Sequence, residues 1–551
     1  MAPTPYPWRR SYRAHRSTPA DPTYHQQTLH EPTNGGKDPL MKPVTRLATG
    51  AVAGALCLAL AACGGAGGQQ ASDDDLDTIT LMVPVLDAQA PAADGALHKA
   101  IEEFSEKTLQ ITWVPNSNYG ERTNVTLASD NIPELMVVQG KTPAFVRSAQ
   151  AGAFWDLTDR LANYPNLVSA TPSTQENASI NGQVFGVYRL RDPMRAAVVV
   201  RKDWLDNLGL EMPETTQDLY DIAKAFTEGD PDGNGQADTY GLIIPRWPGG
   251  YASASPYDVI ETWYGAPNGW GERDGQLVPG FMTPEFLEAN RFMKQMIDEG
   301  LVNPDFATMD SANWNDPFFN GRGGIIVDVS SRANALMNLF KQQDPENFTD
   351  YVDMSGNLIG PSGDKHSYPT IGYNGFIAIS RQSVTTEDEL DNVLKFLNDM
   401  SSQEGQVLQN NGIEGTNFTV EGDYAVPITG GEADVVTNDS KSFAQMGTNT
   451  NGYLAYLTKP ATPEEEAFLE KRQAIHAEDM QTAVQNAANP FVSETYVARG
   501  AQLDQIIADA RVQFLAGQMT EEQLQSEVAR WRAEGGDQII TEMNDLYNAN
   551  R

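Results

Sequence analysis

Thr78-Ile79-Thr80-Leu81-Met82-Val83-Pro84, Leu109-Gln110-Ile111-Thr112-Trp113-Val114 and Glu134-Leu135-Met136-Val137-Val138 are three short apolar runs, each bounded by polar residues. Their length and β-branched content predict buried strands. Between the first two, Gly95 to Lys107 sets Leu97, Ile101 and Phe104 at helical spacing, and Tyr119 to Ser129 reads as a second helix. Strand and helix alternate, which predicts an α/β fold with a largely parallel sheet. The third run ends in Gly140-Lys141-Thr142, but a phosphate-binding loop needs Gly five positions before Gly140, where this chain has Leu135. The segment is therefore read as a strand-to-helix turn.

Helices further along are marked by their ends. Thr283-Pro284 offers an N-cap and a first-turn Pro, and Gly300 stops the helix that carries Phe286, Phe292, Met293, Met296 and Ile297. Thr462-Pro463-Glu464 repeats the start signal, and Thr520 with Gln523 forms a capping box ahead of Leu524 and Val528. The last ninety residues are predicted to be mostly helical.

The front of the chain points to export. Met41-Lys42-Pro43-Val44-Thr45-Arg46 is cationic, Leu47 to Ala62 is apolar and rich in small residues, and the run ends Leu60-Ala61-Ala62-Cys63. This is the pattern of a lipoprotein signal peptide over residues 41–62, too short for a membrane span, with Cys63 as the acylated residue. Residues 63–75 are Gly-, Gln-, Ser- and Asp-rich and read as a flexible tether. Residues 1–40 precede this start and are treated as an upstream start-site artefact. The two cysteines, Cys57 and Cys63, both precede the folded body, which predicts no disulfide there. A body of this size can bury a sufficient core and is expected to form two lobes.

The formal charge is −36, and residues 1–62 hold seven Lys/Arg against three Asp/Glu, so the remainder carries about −40. That disfavours nucleic acid and anionic lipid as partners and tilts toward an uncharged ligand.

Two local patterns suggest binding. In Asp230-Pro231-Asp232-Gly233-Asn234-Gly235-Gln236-Ala237-Asp238, oxygen-bearing side chains fall at positions 1, 3, 5 and 9 around a Gly at 6, the EF-hand loop spacing. Ca²⁺ takes six to eight oxygens, and such a loop aims alternate side chains and a carbonyl at one point. Position 12 is Gly241 instead of Glu, so a missing ligand must come from Thr239 or Glu228. The expectation is a structural ion on Asp230, Asp232, Asn234, Gln236 and Asp238. The second pattern is aromatic: Trp247, Tyr251, Tyr257, Trp263, Tyr264 and Trp270 crowd among Gly and Pro, with Trp314 and Tyr373 further on. Flat rings on loops can stack on sugar faces while neighbouring polar groups bond hydroxyls. Signals for catalysis are weak, because the six histidines are scattered and no Gly-x-Ser-x-Gly elbow occurs.

Several blocks in one order carry a family resemblance: Val200-Arg201-Lys202-Asp203-Trp204-Leu205-Asp206-Asn207-Leu208-Gly209-Leu210, Thr215-Thr216-Gln217-Asp218-Leu219, Asp238-Thr239-Tyr240-Gly241-Leu242, Gly265-Ala266-Pro267-Asn268-Gly269-Trp270 and Glu299-Gly300-Leu301-Val302-Asn303-Pro304-Asp305-Phe306. From about Thr78 onward the chain resembles the family 1 extracellular solute-binding lipoproteins, in the long branch that includes alginate-oligosaccharide-binding proteins. The resemblance implies a two-lobed, periplasmic-binding-protein-like (type II) fold with a ligand cleft between the lobes and a helical C-terminal segment. It implies lobe 1 over 76–190 plus 371–430, and lobe 2 over 191–370 plus 431–551. In the alginate-binding relatives the equivalent acidic loop holds calcium away from the ligand and closes the coordination with an acidic residue where this chain has Thr239.

The implied role is a monomeric, non-enzymatic binding protein, lipid-anchored on the outer face of the cell membrane, that delivers an oligosaccharide to an ABC transporter permease. The alternatives are a surface-anchored carbohydrate-active enzyme and a ligand-sensing lipoprotein. Cleft loops vary within the family, so the ligand candidates come from this chain: Trp247, Trp270 and Trp314 as stacking platforms, Tyr188 and Tyr373 as amphipathic ring contacts, and Gln139, Arg191 and Asn374 as hydroxyl partners near the lobe junction.

Overall fold

The computed structural model describes residues 76–550 apart from 87, 88 and 130; the signal segment, Cys63 and the tether lie outside the described residues. The chain opens with β1 (Thr78–Val85), α1 (Ala96–Ser105), β2 (Thr108–Pro115), α2 (Asn116–Leu127), β3 (Leu135–Val138) and α3 (Pro143–Gln150). β1 pairs in parallel with both β2 and β3. Ile79, Leu81, Val83, Leu97 and Ile101 are buried together, each worth about 1.5–3 kcal/mol of apolar transfer. The Tyr119 hydroxyl shares its one proton between the carbonyls of Met82 (2.9 Å) and Val137 (2.8 Å), pinning α2 across two strands. Thr142 caps α3 by accepting from the Phe145 N–H, with Pro143 in the first turn.

After β4 (Val187–Leu190) the chain builds a second sheet from β5 (Ala196–Arg201), α4 (Thr216–Glu228), β6 (Tyr240–Leu242), α5 (Pro256–Trp263), α6 (Pro284–Asp298), β7 (Gly323–Val329), α7 (Ser331–Gln343) and β8 (Val352–Ser355). Its order is β8-β5-β7-β6. Along β5, Val198 and Val200 enter one core while Val199 enters another, so both faces are covered by helices. β9 (Tyr373–Ile379) then returns to the first sheet, lying antiparallel between β3 and β4 and completing the order β2-β1-β3-β9-β4.

α8 (Glu432–Phe443) buries Val436 and Phe443 in the first core, followed there by Met446. A second-lobe segment starting at 431 is therefore corrected: the apolar face of α8 matches the first core, and the passage to the second follows Met446. α9 (Pro463–Asp479) places Phe468 against the second lobe, and α10 (Glu494–Leu515), α11 (Glu521–Trp531) and α12 (Asp537–Ala549) bury Leu503, Ile507, Phe514, Leu524, Trp531 and Ile539 in its core. The Thr520–Gln523 capping box starts α11. A fully buried charge cluster locks α10 to α5: Arg511 Nη1 reaches Asp258 Oδ1 (2.8 Å) and Glu261 Oε1 (3.1 Å), and its guanidinium lies 4.8 Å from the Tyr257 ring centroid.

Candidate ligand site at the junction of the lobes

Strand direction locates the junction. The C-terminal ends of β1 to β4 open at one edge of the first sheet, and those of β6, β7 and β8 at one edge of the second, where Ala196 at the start of β5 pairs with Val329 at the end of β7. Residues 191–195 and 356–372 join these two edges, bridged by an antiparallel Met194–Pro369 pair and by Thr370 N–H donating to the Pro193 carbonyl at 2.7 Å. In open α/β sheets, ligands bind outside the carboxyl ends of strands.

The first-lobe rim carries Gln139, Arg191 and Asn374. Gln139 donates to Asn116 Oδ1 at 2.8 Å, and Arg191 and Asn374 are exposed. Gly375 follows at φ +82°, where a Cβ would stand 2.0 Å from the Val138 carbonyl oxygen, so only glycine lets β9 meet β3 here. Tyr188 and Tyr373 are instead core residues. The Tyr188 hydroxyl donates to the Thr450 carbonyl at 3.0 Å, and burial pushes both phenols above their ordinary range. The ring contacts expected of them are corrected: in strands buried on both faces, these side chains point into the core.

On the second lobe, Trp247 and Trp314 meet edge to face with ring centroids 6.1 Å apart. The Trp247 indole donates to Ser253 Oγ (2.9 Å) and the Trp314 indole to the Ile243 carbonyl (3.1 Å). Trp314 is only 1 % exposed, and the Arg332 guanidinium sits 4.1 Å over its ring, held by Asp328 and by Asn315 Oδ1 (2.6 Å). Its stacking face is thus taken by an arginine in this arrangement. Trp270 lies apart from this pair. It lines a cavity of about 900 Å³ with Tyr251, Phe491 and Trp531 from the second lobe and Lys141 and Pro143 from the first. Lys141 donates to the Asn489 carbonyl (2.5 Å), and burial pushes its ammonium down to about 7. Of the other crowded aromatics, Tyr257 and Trp263 pack inside the second core on α5, started by a Ser255–Asp258 capping box.

Apart from Arg191, sequence reading missed the charged groups on the crossings. His476 Nδ1 lies 2.9 Å from Asp192 Oδ2, and its Nε2 lies 2.9 Å from Ser330 Oγ. This has the connectivity of a nucleophile, base and acid. Ser330, however, is 4 % exposed, and its N–H donates to the Arg195 carbonyl. The chain of bonds therefore ties α9 and α7 to the first crossing and offers a substrate no nucleophile. Arg195, Arg472 and Tyr453 join this neighbourhood from segments hundreds of residues apart. The one available signal was Arg191-Asp192-Pro193-Met194-Arg195, a charged, Pro-containing tract between two apolar strands.

The acidic loop at 230–238 lies away from the junction, against α4. Asp230 accepts from the N–H groups of Asn234 and Gly235 (both 3.0 Å), and the Asn234 amide donates to Asp232 (2.8 Å) and Asp238 (3.3 Å). Gln236 gives its N–H to Asn234 Oδ1 (2.7 Å), while Asp238 also accepts from Arg322 (2.8 Å). Thr239 cannot complete a ligand set through its side chain, because its hydroxyl is buried and donates to the Phe226 carbonyl at 2.7 Å. Gly241 at position 12 stands where a Cβ would be 2.4 Å from the Ala223 Cα, so no carboxylate fits there. Among the described residues, no three acidic, His or Cys side chains converge as a ready metal site.

A family model for the bacterial extracellular solute-binding proteins matches residues 88–407. Lipoprotein LipO of Bacillus subtilis is 39 % identical over 492 residues, spanning 89 % of this chain and 96 % of that protein. The polygalacturonan/rhamnogalacturonan-binding protein YtcQ of the same organism is 30 % identical over 464 residues, spanning 84 % and 90 %. Among solved structures, an EF-hand mutant of the Streptococcus pneumoniae ABC-transporter substrate-binding protein FusA, in complex with fructo-nystose, superposes with a TM-score of 0.60 at 18 % identity, covering 86 % of this chain and all of that one. With two α/β lobes joined at the carboxyl ends of their strands, this chain belongs to the bacterial extracellular solute-binding protein family.

Proposed function

We propose that the protein captures a carbohydrate of oligosaccharide length between its lobes and delivers it to an ABC transporter permease, tethered to the outer face of the cell membrane through Cys63. The observation that carries this reading is the meeting of two sheet edges, with the half-buried Trp247 on one side and the exposed polar side chains of Gln139, Arg191 and Asn374 on the other. Relatives named for polygalacturonan and for fructo-oligosaccharide binding support a saccharide, and they leave its charge open. A ligand that touches both lobes favours the arrangement in which they close on it.

Thermal shift of the purified protein against neutral and acidic oligosaccharides, peptides and amino acids tests this, because a ligand of the folded state raises the melting temperature. Stabilisation by saccharides with no product formed is the expected result. Stabilisation by peptides alone would overturn the carbohydrate assignment, and conversion of the glycan would move the protein to the enzymes.

The loop at 230–238 fits Ca²⁺ in donor chemistry, being all oxygen, with Asp230, Asp232, Asn234 and Asp238 grouped around one turn. Lacking a bidentate ligand at position 12, it would hold the ion weakly, as a local brace for α4 and β6. A melting temperature raised by calcium in the wild type and unmoved in Asp230→Ala is expected, and an equal rise in both would rule the loop out.

A further inference from the structure

The first crossing and its surroundings hold a group of cations whose nearest carboxylates are already engaged. Asp192 is bonded to His476, and Asp328 is paired with Arg332. Arg191 and Arg195 sit in the same short crossing, close enough to repel each other, and neither has an ion pair among the described residues. Arg189, two residues earlier, spends its donors on the Asn374 carbonyl (2.9 Å) and Gln445 (3.3 Å). Arg472, from α9, donates to Asn334 (2.8 Å) and lies within the electrostatic influence of Asp192. Burial and the like charge of Arg191 hold the Arg195 guanidinium below its ordinary range.

Beside them stands an aromatic ring that sequence reading passed over. Tyr453 is 59 % exposed, among the most open large side chains described, yet its hydroxyl is fixed by donating to the Leu190 carbonyl at 3.1 Å. It lies within electrostatic reach of Arg191, Arg195 and Asp192. A chain of net charge −36 thus gathers unpaired guanidinium groups around a presented ring at the junction of its lobes. Guanidinium groups that bond no carboxylate of the chain keep donors available to an anion. A planar guanidinium accommodates a carboxylate through two parallel bonds, and a tyrosine face accommodates the apolar face of a pyranose.

We infer that Tyr453, Arg191 and Arg195 form a subsite for an acidic sugar, in which the ring stacks on a uronic acid residue and the arginines take its carboxylate. The inference rests on the carbohydrate reading above and narrows its substrate class against the weak expectation of a neutral ligand from net charge. Global charge governs long-range approach, whereas local unpaired donors govern what is held.

Titration calorimetry of the purified protein with tri-galacturonate and with neutral galactotriose tests it, on the wild type, Arg195→Gln, Arg191→Gln and Tyr453→Ala, each checked for an unchanged thermal melt without ligand. Tri-galacturonate is expected to bind at least tenfold more tightly than galactotriose, to weaken with added salt, and to lose about tenfold in either arginine variant. Tyr453→Ala should weaken it without changing the salt dependence. Galactotriose binding as tightly as the uronide, with Arg195→Gln indifferent, would overturn the acidic subsite and leave the carbohydrate reading intact. Absence of binding to either sugar, together with stabilisation by peptides, would overturn both.

Discussion

Arg511 and Arg195 sit in the same protein under opposite arrangements. Arg511 is buried, paired with Asp258 and Glu261, and flanked by the rings of Tyr251 and Tyr257. Arg195 is half-buried beside a second arginine and an exposed Tyr453, and the two carboxylates within its electrostatic reach, Asp192 and Asp328, are bonded to His476 and Arg332. The same ingredients make a structural lock where charge is balanced inside, and a receptor where the balance must come from outside. Balance, more than burial, separates the two roles.

The largest effect should come from breaking the lock. Arg511→Ala leaves two carboxylates facing each other in the core and should cost about 3–5 kcal/mol by urea denaturation; a loss below ~1 kcal/mol would mean that Asp258 and Glu261 find other partners. Next is Lys141, an unbalanced cation held down to about 7 by burial, against an ordinary lysine value of 10.5. Below the folded value both states carry the proton and the folded state alone bears the burial cost. Between about 7 and 10.5 the unfolded chain holds a proton that the folded chain has lost, so stability should rise with pH across that window. Lys141→Met should be more stable than the wild type at neutral pH and should flatten the rise; an unchanged pH profile in the variant would assign it elsewhere. Smaller still is Arg291, whose bidentate pair with Glu521 lies at the surface. Arg291→Ala should cost about 0.2–1 kcal/mol and less in high salt. The smallest change in stability is expected for Arg195→Gln, within about 0.5 kcal/mol without ligand. A cost there approaching that of Arg511→Ala would erase the contrast.

The fold was legible where local pattern suffices. The alternation at 78–138 became β1, α1, β2, α2 and β3, and Thr462 and Thr520 cap the helices they announced, whereas Thr283 stands at the start of α6 but its hydroxyl donates back to the Gly280 carbonyl. Patterns that share one local signal were less legible. An aromatic ring among Gly and Pro reads the same whether it faces solvent or core, and only the tertiary fold turned Tyr257 and Trp263 inward and laid Arg332 over Trp314. The boundary at 431 failed because the face of α8 fits either core by composition, and the choice is made by distant strands. Arg191 was legible as a candidate, but its grouping with Arg195, Tyr453 and Arg472 was not, because 191–195, 453 and 472 meet only once both sheets exist.

Gly241 has a consequence for how this protein could evolve or be engineered. It occupies the loop position at which a stronger grip on a cation would have to be installed, and it is also the point at which β6 rests on α4, with a Cβ placed 2.4 Å from the Ala223 backbone. One atom-sized gap therefore serves two neighbours, and tightening one interface means prying open the other. A cation held by this loop would meet a steric ceiling on its affinity, and raising that ceiling requires redesigning a helix–strand seam rather than exchanging a single residue.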